Sequence, residues 1–389
     1  MHPPHRAVID TGALTGNVRA LAARTSAEVM AIVKADGYGH GAVRSAHAAV
    51  AGGASRLGVA QVSEALALIE DLPDVPLFAW IFAPGMDLAP AVDAGIELSA
   101  GEPWAVAALS EAARAAGRPA RVHLAFDSGM AREGARPEVW EDLVGEALAA
   151  PGIEVVGLWS HLARADEPGV ETTARQTELF AEAVDVARRA GADPEMVHLA
   201  NSAGLLWHPE THFDLVRPGI AMYGLAPDGS DPAALGLTPV MRLEAPLSAV
   251  RRVPAGTPVS YGGTATVGPT VLGTVPLGYA DGIPRQASSN GAWVSVGGHR
   301  APVVGRICMD QFVVDLGQDS DASAGEVAVV FGAGEGAPTA DDWARAAGTI
   351  NYTITTTLGA RVPRVAEDLG ARVPRMAEDL GARVPRVAP

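Results

Sequence analysis

The 389-residue chain has one cysteine, few aromatics and, unusually, one lysine. The lone thiol, Cys308, excludes an intramolecular disulfide framework and points to a reducing compartment. No stretch of about 18 apolar residues occurs, so no membrane-spanning helix is expected. The start, Met-His-Pro-Pro-His, lacks the basic and apolar segments of a secretory signal, and the expected location is the cytoplasm. Positive charge is scarce as well. With 29 basic and 45 acidic residues the formal net charge is −16, which disfavours nucleic acid and anionic membranes as partners. A small molecule or another protein suits this surface better.

Among the 29 basic residues only Lys34 is a lysine; the others are arginine. Arginine supplies charge, salt bridges and phosphate contacts at least as well as lysine, but its guanidinium is not a usable amine nucleophile. Imine formation and proton transfer by a neutral amine are reserved to lysine. A chain that uses arginine elsewhere and keeps one ε-amine marks that position for amine chemistry; the alternative is a leftover surface lysine.

The chain is 48% hydrophobic, enough for a sizeable core. Strand-like runs alternate with Ala-rich helical stretches over residues 1–227, with strands expected at Glu28–Lys34, Arg56–Gln61, Pro76–Phe82, Gly95–Ser99, Ala120–Asp127, Ile153–His161, Met196–Ala200 and Phe213–Arg217. Eight such units predict an α/β protein with an N-terminal (β/α)8 TIM-type barrel, a doubly wound sheet being the competitor. Residues 228–236 form a Pro/Gly/Asp-rich break. Beyond it, short β-branched runs at Ala245–Val253, Pro258–Tyr261, Val271–Pro276, Trp293–Val296, Val303–Met309 and Glu326–Phe331 predict a mostly antiparallel C-terminal β domain over 228–365, with a helix near Thr339–Ala347. Residues 366–389 read as a solvated tail, part of an eleven-residue repeat whose copies begin at Leu358, Leu369 and Leu380.

Lys34 ends the first expected barrel strand, where barrel active sites lie, in Val33-Lys34-Ala35-Asp36-Gly37-Tyr38-Gly39-His40-Gly41. The alternating glycines allow close backbone approach. Other strand ends bring Trp159-Ser160-His161, the run His198–Gly204 and Asp214-Leu215-Val216-Arg217-Pro218-Gly219-Ile220 to the same rim. An imidazole, hydroxyls, an amide, an arginine and backbone N–H groups together suit a phosphorylated, ring-bearing cofactor. Singly, each has a plainer reading: His161 as a core histidine, Asn201 as a cap, Arg217 as a salt-bridge partner.

In these motifs the chain resembles bacterial alanine racemases, fold-type III pyridoxal-phosphate enzymes. The resemblance also covers Asp127–Arg132, Ala165-Asp166-Glu167, Ser260-Tyr261-Gly262, Gly278-Tyr279-Ala280-Asp281-Gly282, Gly305–Gln311 and Gly348–Tyr352, in order from about Arg6 to Val365. It implies pyridoxal 5'-phosphate joined to Lys34 as the internal aldimine, with Lys34 then free as a base on one face of Cα. It assigns Tyr261 of the partner subunit to the other face, so the active site is shared across a homodimer. It further implies Arg217 facing the pyridine nitrogen with His161 beside it, and Asn201 near the cofactor. Tyr38, Ser202, Gly219, Ile220 and Tyr352 would hold the phosphate. Arg132 and Met309 would face the substrate, Tyr279 would narrow its entrance, and Asp310 would stand behind them. No metal is expected, and the implied role is D-alanine supply for peptidoglycan.

One departure matters most: Ala125 stands where the family usually has a lysine, often carbamylated, that holds the arginine matching Arg132. Arg132 then needs another negative partner, an anion such as chloride or a carboxylate, and a bound anion is expected. Trp159 and Ala265 also depart from the usual residues and bear on substrate range. Rival readings are a broader-specificity or serine-type racemase, a decarboxylase and a non-catalytic pyridoxal-phosphate carrier. A metal hydrolase is disfavoured, since in His208-Pro209-Glu210-Thr211-His212 the glutamate is not next to the first histidine.

Overall fold

The computed structural model describes residues 5–334 and 336–367. The chain enters through Arg6–Asp10 (β1), a strand of the second sheet rather than of the barrel. Asp10 then accepts from the Ala13 N–H at 2.8 Å and caps the helix Thr11–Ala22. Eight parallel strands follow: Glu28–Ile32 (β2), Arg56–Gln61 (β3), Leu77–Ile81 (β4), Glu97–Ala100 (β5), Ala120–Ala125 (β6), Ile153–Trp159 (β7), Met196–His198 (β8) and Leu215–Val216 (β9). Pairing of β2 with β9 closes them into a barrel in sequence order. The expected strands all occur, most of them a residue or more shorter. The helices between them bury alanine-rich faces; Thr172–Arg189, for instance, packs Phe180, Ala183, Val184 and Ala187 inward.

The second sheet continues with Met241–Pro246 (β10), Ala249–Val253 (β11), a separate hairpin of Thr257–Val259 (β12) and Ala265–Val267 (β13), then Thr270–Val275 (β14), Trp293–Val296 (β15), His299–Val304 (β16), Phe312–Gly317 (β17), Val327–Phe331 (β18) and Arg364–Glu367 (β19). Its nine strands run β11-β14-β17-β16-β15-β18-β10-β1-β19 and pair antiparallel except β1 with β19. The expected single strand Ala245–Val253 is two strands. The expected Val303–Met309 strand stops at Val304, because Gly305 takes φ +71° and an added Cβ there would lie 2.7 Å from the Val259 carbonyl oxygen. Ala366 and Glu367 belong to β19; the tail reading for the residues after them lies outside the described residues.

Sitting between β10 and β19, β1 draws the start of the chain into the second sheet, and Arg6 bonds Glu244 and Glu367 at 2.8 Å each. Asn17 locks the barrel's first helix to the crossing segment, donating to the Met222 and Thr238 carbonyls at 3.0 and 2.8 Å and accepting from the Thr238 N–H at 2.8 Å.

The core encloses three imidazoles, His40, His123 and His198, all fully buried. Burial pushes each below the ordinary histidine value, His40 to about 4. The folded chain thus keeps neutral what the unfolded chain protonates near pH 6.5, so below that pH the unfolded state binds more protons. Stability is therefore expected to fall as pH drops through about 6.5, by up to about 1.4 kcal/mol per pH unit for each imidazole. Urea unfolding at pH 7.5 and 5.5 checks this; equal midpoints would mean that the imidazoles are charged inside the fold.

Candidate active site

Lys34 follows β2 directly, and the chain then does something costly. Ala35, Asp36, Gly37 and Tyr38 take φ values of +52°, +52°, +61° and +53°, a left-handed turn in which three residues are not glycine. Such residues lose about 1–2 kcal/mol each there, so neighbours must hold the turn. The Ala35 N–H donates to Glu64 Oε1 at 2.6 Å, and the Ala42 N–H donates to Asp36 Oδ1 at 2.9 Å. His40 Nδ1 lies 3.0 Å from both the Gly37 and Tyr38 carbonyls. The glycines do permit close approach, and what approaches is the protein itself: a Cβ on Gly39 would lie 2.2 Å from the Thr355 carbonyl oxygen. Arg364 closes the turn by donating from Nε to the Gly39 carbonyl at 2.9 Å.

This turn opens onto a cavity of about 470 Å³ at the C-terminal mouth of the barrel. Ten of the expected residues line it: Lys34, Tyr38, Arg132, His161, Asn201, Ser202, Arg217, Gly219, Ile220 and Tyr352. Lys34 Nζ lies 5.4 Å from the centre of the Trp80 ring. Burial first, and then the charge of Arg132, pull its pKa below the usual lysine value and favour a neutral amine. At another wall Ser202 Oγ accepts from the Gly219 and Ala221 N–H groups at 2.8 and 3.3 Å. Gly219 is required there, since a Cβ would lie 2.2 Å from the Tyr38 hydroxyl. Burial raises the pKa of Tyr38 and Tyr352, which keeps both as neutral hydroxyls. Asn201 caps the next helix by accepting from the Gly204 N–H at 3.0 Å.

Arg217 is 5% exposed and thoroughly tied down. Nη2 donates to the Ser160 and Leu199 carbonyls at 2.8 and 3.0 Å and to His161 Nδ1 at 3.2 Å; Nη1 donates to His198 Nδ1 at 2.9 Å. Burial pulls its pKa down to about 9, which leaves it cationic at neutral pH.

Asp127 Oδ1 accepts from the N–H groups of Gly129, Met130 and Ala131 at 2.9–3.0 Å and so shapes the loop that carries Arg132. Arg132 Nη2 donates to Glu133 Oε1 at 2.9 Å. Arg132, Glu133, Ala125 and His161 border a void of about 10 Å³, room for roughly one water. Glu133 thus places a carboxylate beside Arg132 where Ala125 offers no partner.

The remaining expected residues, Tyr261, Tyr279, Met309 and Asp310, do not line this cavity within one chain. Tyr261, Tyr279 and Met309 are exposed, Tyr261 by 73%. Asp310 pairs with Arg361 at 2.8 Å. Their loops are knitted together: Ser260 Oγ donates to the Arg306 carbonyl at 2.6 Å and contacts Cys308 Sγ at 3.3 Å, while the Tyr279 N–H donates to the Cys308 carbonyl at 3.0 Å. Ser260, at φ +62°, turns the chain sharply just before Tyr261.

Sequence reasoning missed Glu64, Trp80, Glu97 and His123. A glutamate and a histidine within short barrel strands were the available signal for the last two. No group of metal-ligating residues occurs among the described residues, and His208–His212 is a loop around the short turn Pro209–Thr211.

Pyridoxal phosphate suits this donor set. An amine and a fixed guanidinium share one cavity, and hydroxyls and backbone N–H groups gather where Gly219 leaves room beside Tyr38.

Comparison with known proteins agrees. The alanine racemase N-terminal domain family matches residues 9–227 and the C-terminal domain family residues 240–366. An alanine racemase of Beutenbergia cavernae is 54% identical over 369 residues, covering 93% of this chain and 97% of the relative. The solved alanine racemase of Streptomyces coelicolor A3(2) superposes with a TM-score of 0.91 at 52% identity, covering 93% and 98% of the two chains. That of Bartonella henselae, solved with covalently bound pyridoxal phosphate, gives 0.84 at 29% identity, covering 94% and 100%. With both domain families matched along its length and the expected residues gathered at one barrel mouth, the chain belongs to the alanine racemase family.

Proposed function

We propose that the protein interconverts L- and D-alanine by a two-base mechanism with pyridoxal 5'-phosphate, as a homodimer in the cytoplasm, and that it supplies D-alanine for peptidoglycan. The observation that carries the reading is the meeting of the chain's only ε-amine, Lys34, with the immobilised Arg217 guanidinium in one cavity. The location rests on sequence, helped by the absence among the described residues of any helix long and apolar enough to cross a membrane. The peptidoglycan role rests on the family resemblance.

When bound, the cofactor supplies an electron-accepting ring that acidifies the Cα–H of an attached amino acid. Lys34, partly desolvated and near Arg132, is poised as a neutral amine that takes or returns a proton at Cα. Arg217 would hold the ring nitrogen as a donor and, as a guanidinium, would not surrender its proton, so the ring would remain a weak electron sink and prompt reprotonation would be favoured. Inversion needs a second proton donor on the opposite face. Tyr261 is exposed on the β domain, and the partner's copy is assigned that place. Tyr38, Ser202, Gly219, Ile220 and Tyr352 would hold the phosphate, and His161 and Asn201 would lie beside the ring. Arg132, Met309 and Tyr279 bound the substrate pocket, and Asp310 stands behind them.

Incubation with L-alanine in heavy water, with L-serine alongside, tests this. Inversion of alanine with deuterium at Cα is expected, and no exchange of either amino acid by cofactor-loaded protein would end the reading. In Tyr261→Phe, inversion is expected to fall on the order of 10²- to 10⁴-fold while exchange with retention persists for one enantiomer. Unchanged inversion would remove Tyr261 from the mechanism.

The Glu133 carboxylate beside Arg132 supports the reading that it does the work of the expected anion. Activity is therefore expected to be equal in chloride and in chloride-free buffer. Glu133→Gln is expected to lose roughly two- to fivefold, as suits a partly exposed ion pair, and to regain it with chloride. Chloride activation of the unaltered protein would return that role to a bound anion.

A further inference from the structure

Barrel interiors are ordinarily packed with branched apolar side chains. Here a file of polar groups crosses the interior, starting on Arg217 at the mouth. His198 Nδ1 lies 2.9 Å from Arg217 Nη1, His198 Nε2 lies 2.8 Å from His123 Nδ1, and His123 Nε2 lies 3.0 Å from Glu97 Oε2. Glu97 is the first residue of β5, at the opposite end of the barrel, where Arg56 and Arg121 bond it at 2.9–3.2 Å.

Chemistry fixes the direction of this chain. A guanidinium only donates, so His198 Nδ1 must offer a lone pair. A neutral His198 then carries its proton on Nε2 and gives it to His123 Nδ1. His123 in turn carries its proton on Nε2 and gives it to Glu97. Each ring nitrogen has one partner, and nothing is left over. Burial keeps both imidazoles neutral. Burial also opposes the Glu97 charge, but the His123 hydrogen bond and the adjacent arginines bring its pKa down to about 2.

The barrel makes room for this file. A Cβ on Gly157 would lie 2.3 Å from His123 Nδ1, and the β6–β7 register shifts between Val122 and His123. Phe78 stacks on His123 at 4.4 Å and Trp159 on His198 at 6.0 Å, which excludes water from both rings. An ion cluster of Arg56, Glu97 and Arg121 would close the barrel floor without any histidine. It does not account for two imidazoles in series ending on a guanidinium.

We propose that Glu97 and His123 are positioning residues that act through His198 to hold Arg217 in its donating orientation toward the cofactor ring. This rests on the racemase reading, in which Arg217 faces the ring nitrogen. The device is sensitive to one atom. In Glu97→Gln the two arginines claim the amide oxygen, the amide NH₂ turns to His123, and the chain reverses. His198 then points an N–H at Arg217, and the guanidinium has to move.

Neutron diffraction from deuterated crystals of the protein loaded with pyridoxal phosphate tests the chain itself, since tautomers are otherwise only inferred from their partners. Deuterium is expected on Nε2 alone in both His198 and His123. Deuterium on His198 Nδ1, or on both nitrogens, overturns the proposal whatever the activity. In Glu97→Gln, kcat for alanine is expected to fall about tenfold or more with KM little changed, and Glu97→Asp is expected to recover most of it. Unchanged kcat overturns the proposal. If Glu97→Gln does not fold, His123→Phe, stacked on Phe78, cuts the chain while leaving the bonds of Arg56 and Arg121 to Glu97 in place, and must show the same loss of kcat. Failure of the unaltered protein to racemise alanine would instead remove the functional reading, and the neutron result would still decide the tautomers.

Discussion

The left-handed turn after Lys34 is the constraint on which the rest of the site depends. It is unfavourable for three of its four residues, and it exists because groups from distant parts of the chain meet on it. Glu64 reaches it from the helix after β3, Thr355 comes from the helix Asn351–Thr356 and Arg364 from β19 of the second sheet. The turn aims Lys34 into the cavity and sets Tyr38 against Gly219. Neither domain holds the lysine alone, so the β domain supports the amine in its own chain as well as carrying Tyr261.

Polar groups inside the barrel follow the same economy. Arg217, His198, His123 and Glu97 satisfy one another almost completely, and four buried titratable groups coexist with a dry, aromatic-lined interior. A guanidinium left unpaired there would be costly, and a guanidinium free to turn would be a poor donor. Fixing it with neutral imidazoles gives orientation without placing a second cation beside it.

Much of this architecture is legible in the sequence because barrel strands buried on both faces read as short apolar runs with glycine and polar residues at their C-terminal ends. Lys34 stood out by composition, and the residues at strand ends came together as their positions implied. Arg6–Asp10 was not legible, because its partners β10 and β19 lie hundreds of residues away. The run Val303–Met309 reads as one strand, yet it stops at Gly305 because of a close contact with Val259 that no local pattern announces. Glu97 and His123 look like isolated exceptions in apolar strands until the register sets them in line. Glu133 beside Arg132 gives no periodic signal at all; only the loop shaped by Asp127 brings the two side chains together.

A reactive aldehyde such as pyridoxal phosphate condenses with any accessible primary amine, and in most proteins surface lysines compete with the intended one. This chain offers a single ε-amine, and that one lines the cavity. Loading would thus be selective by subtraction: apart from the chain's own amino terminus no other primary amine competes for the aldehyde. The same scarcity leaves no neighbouring lysine to stand in should Lys34 be lost.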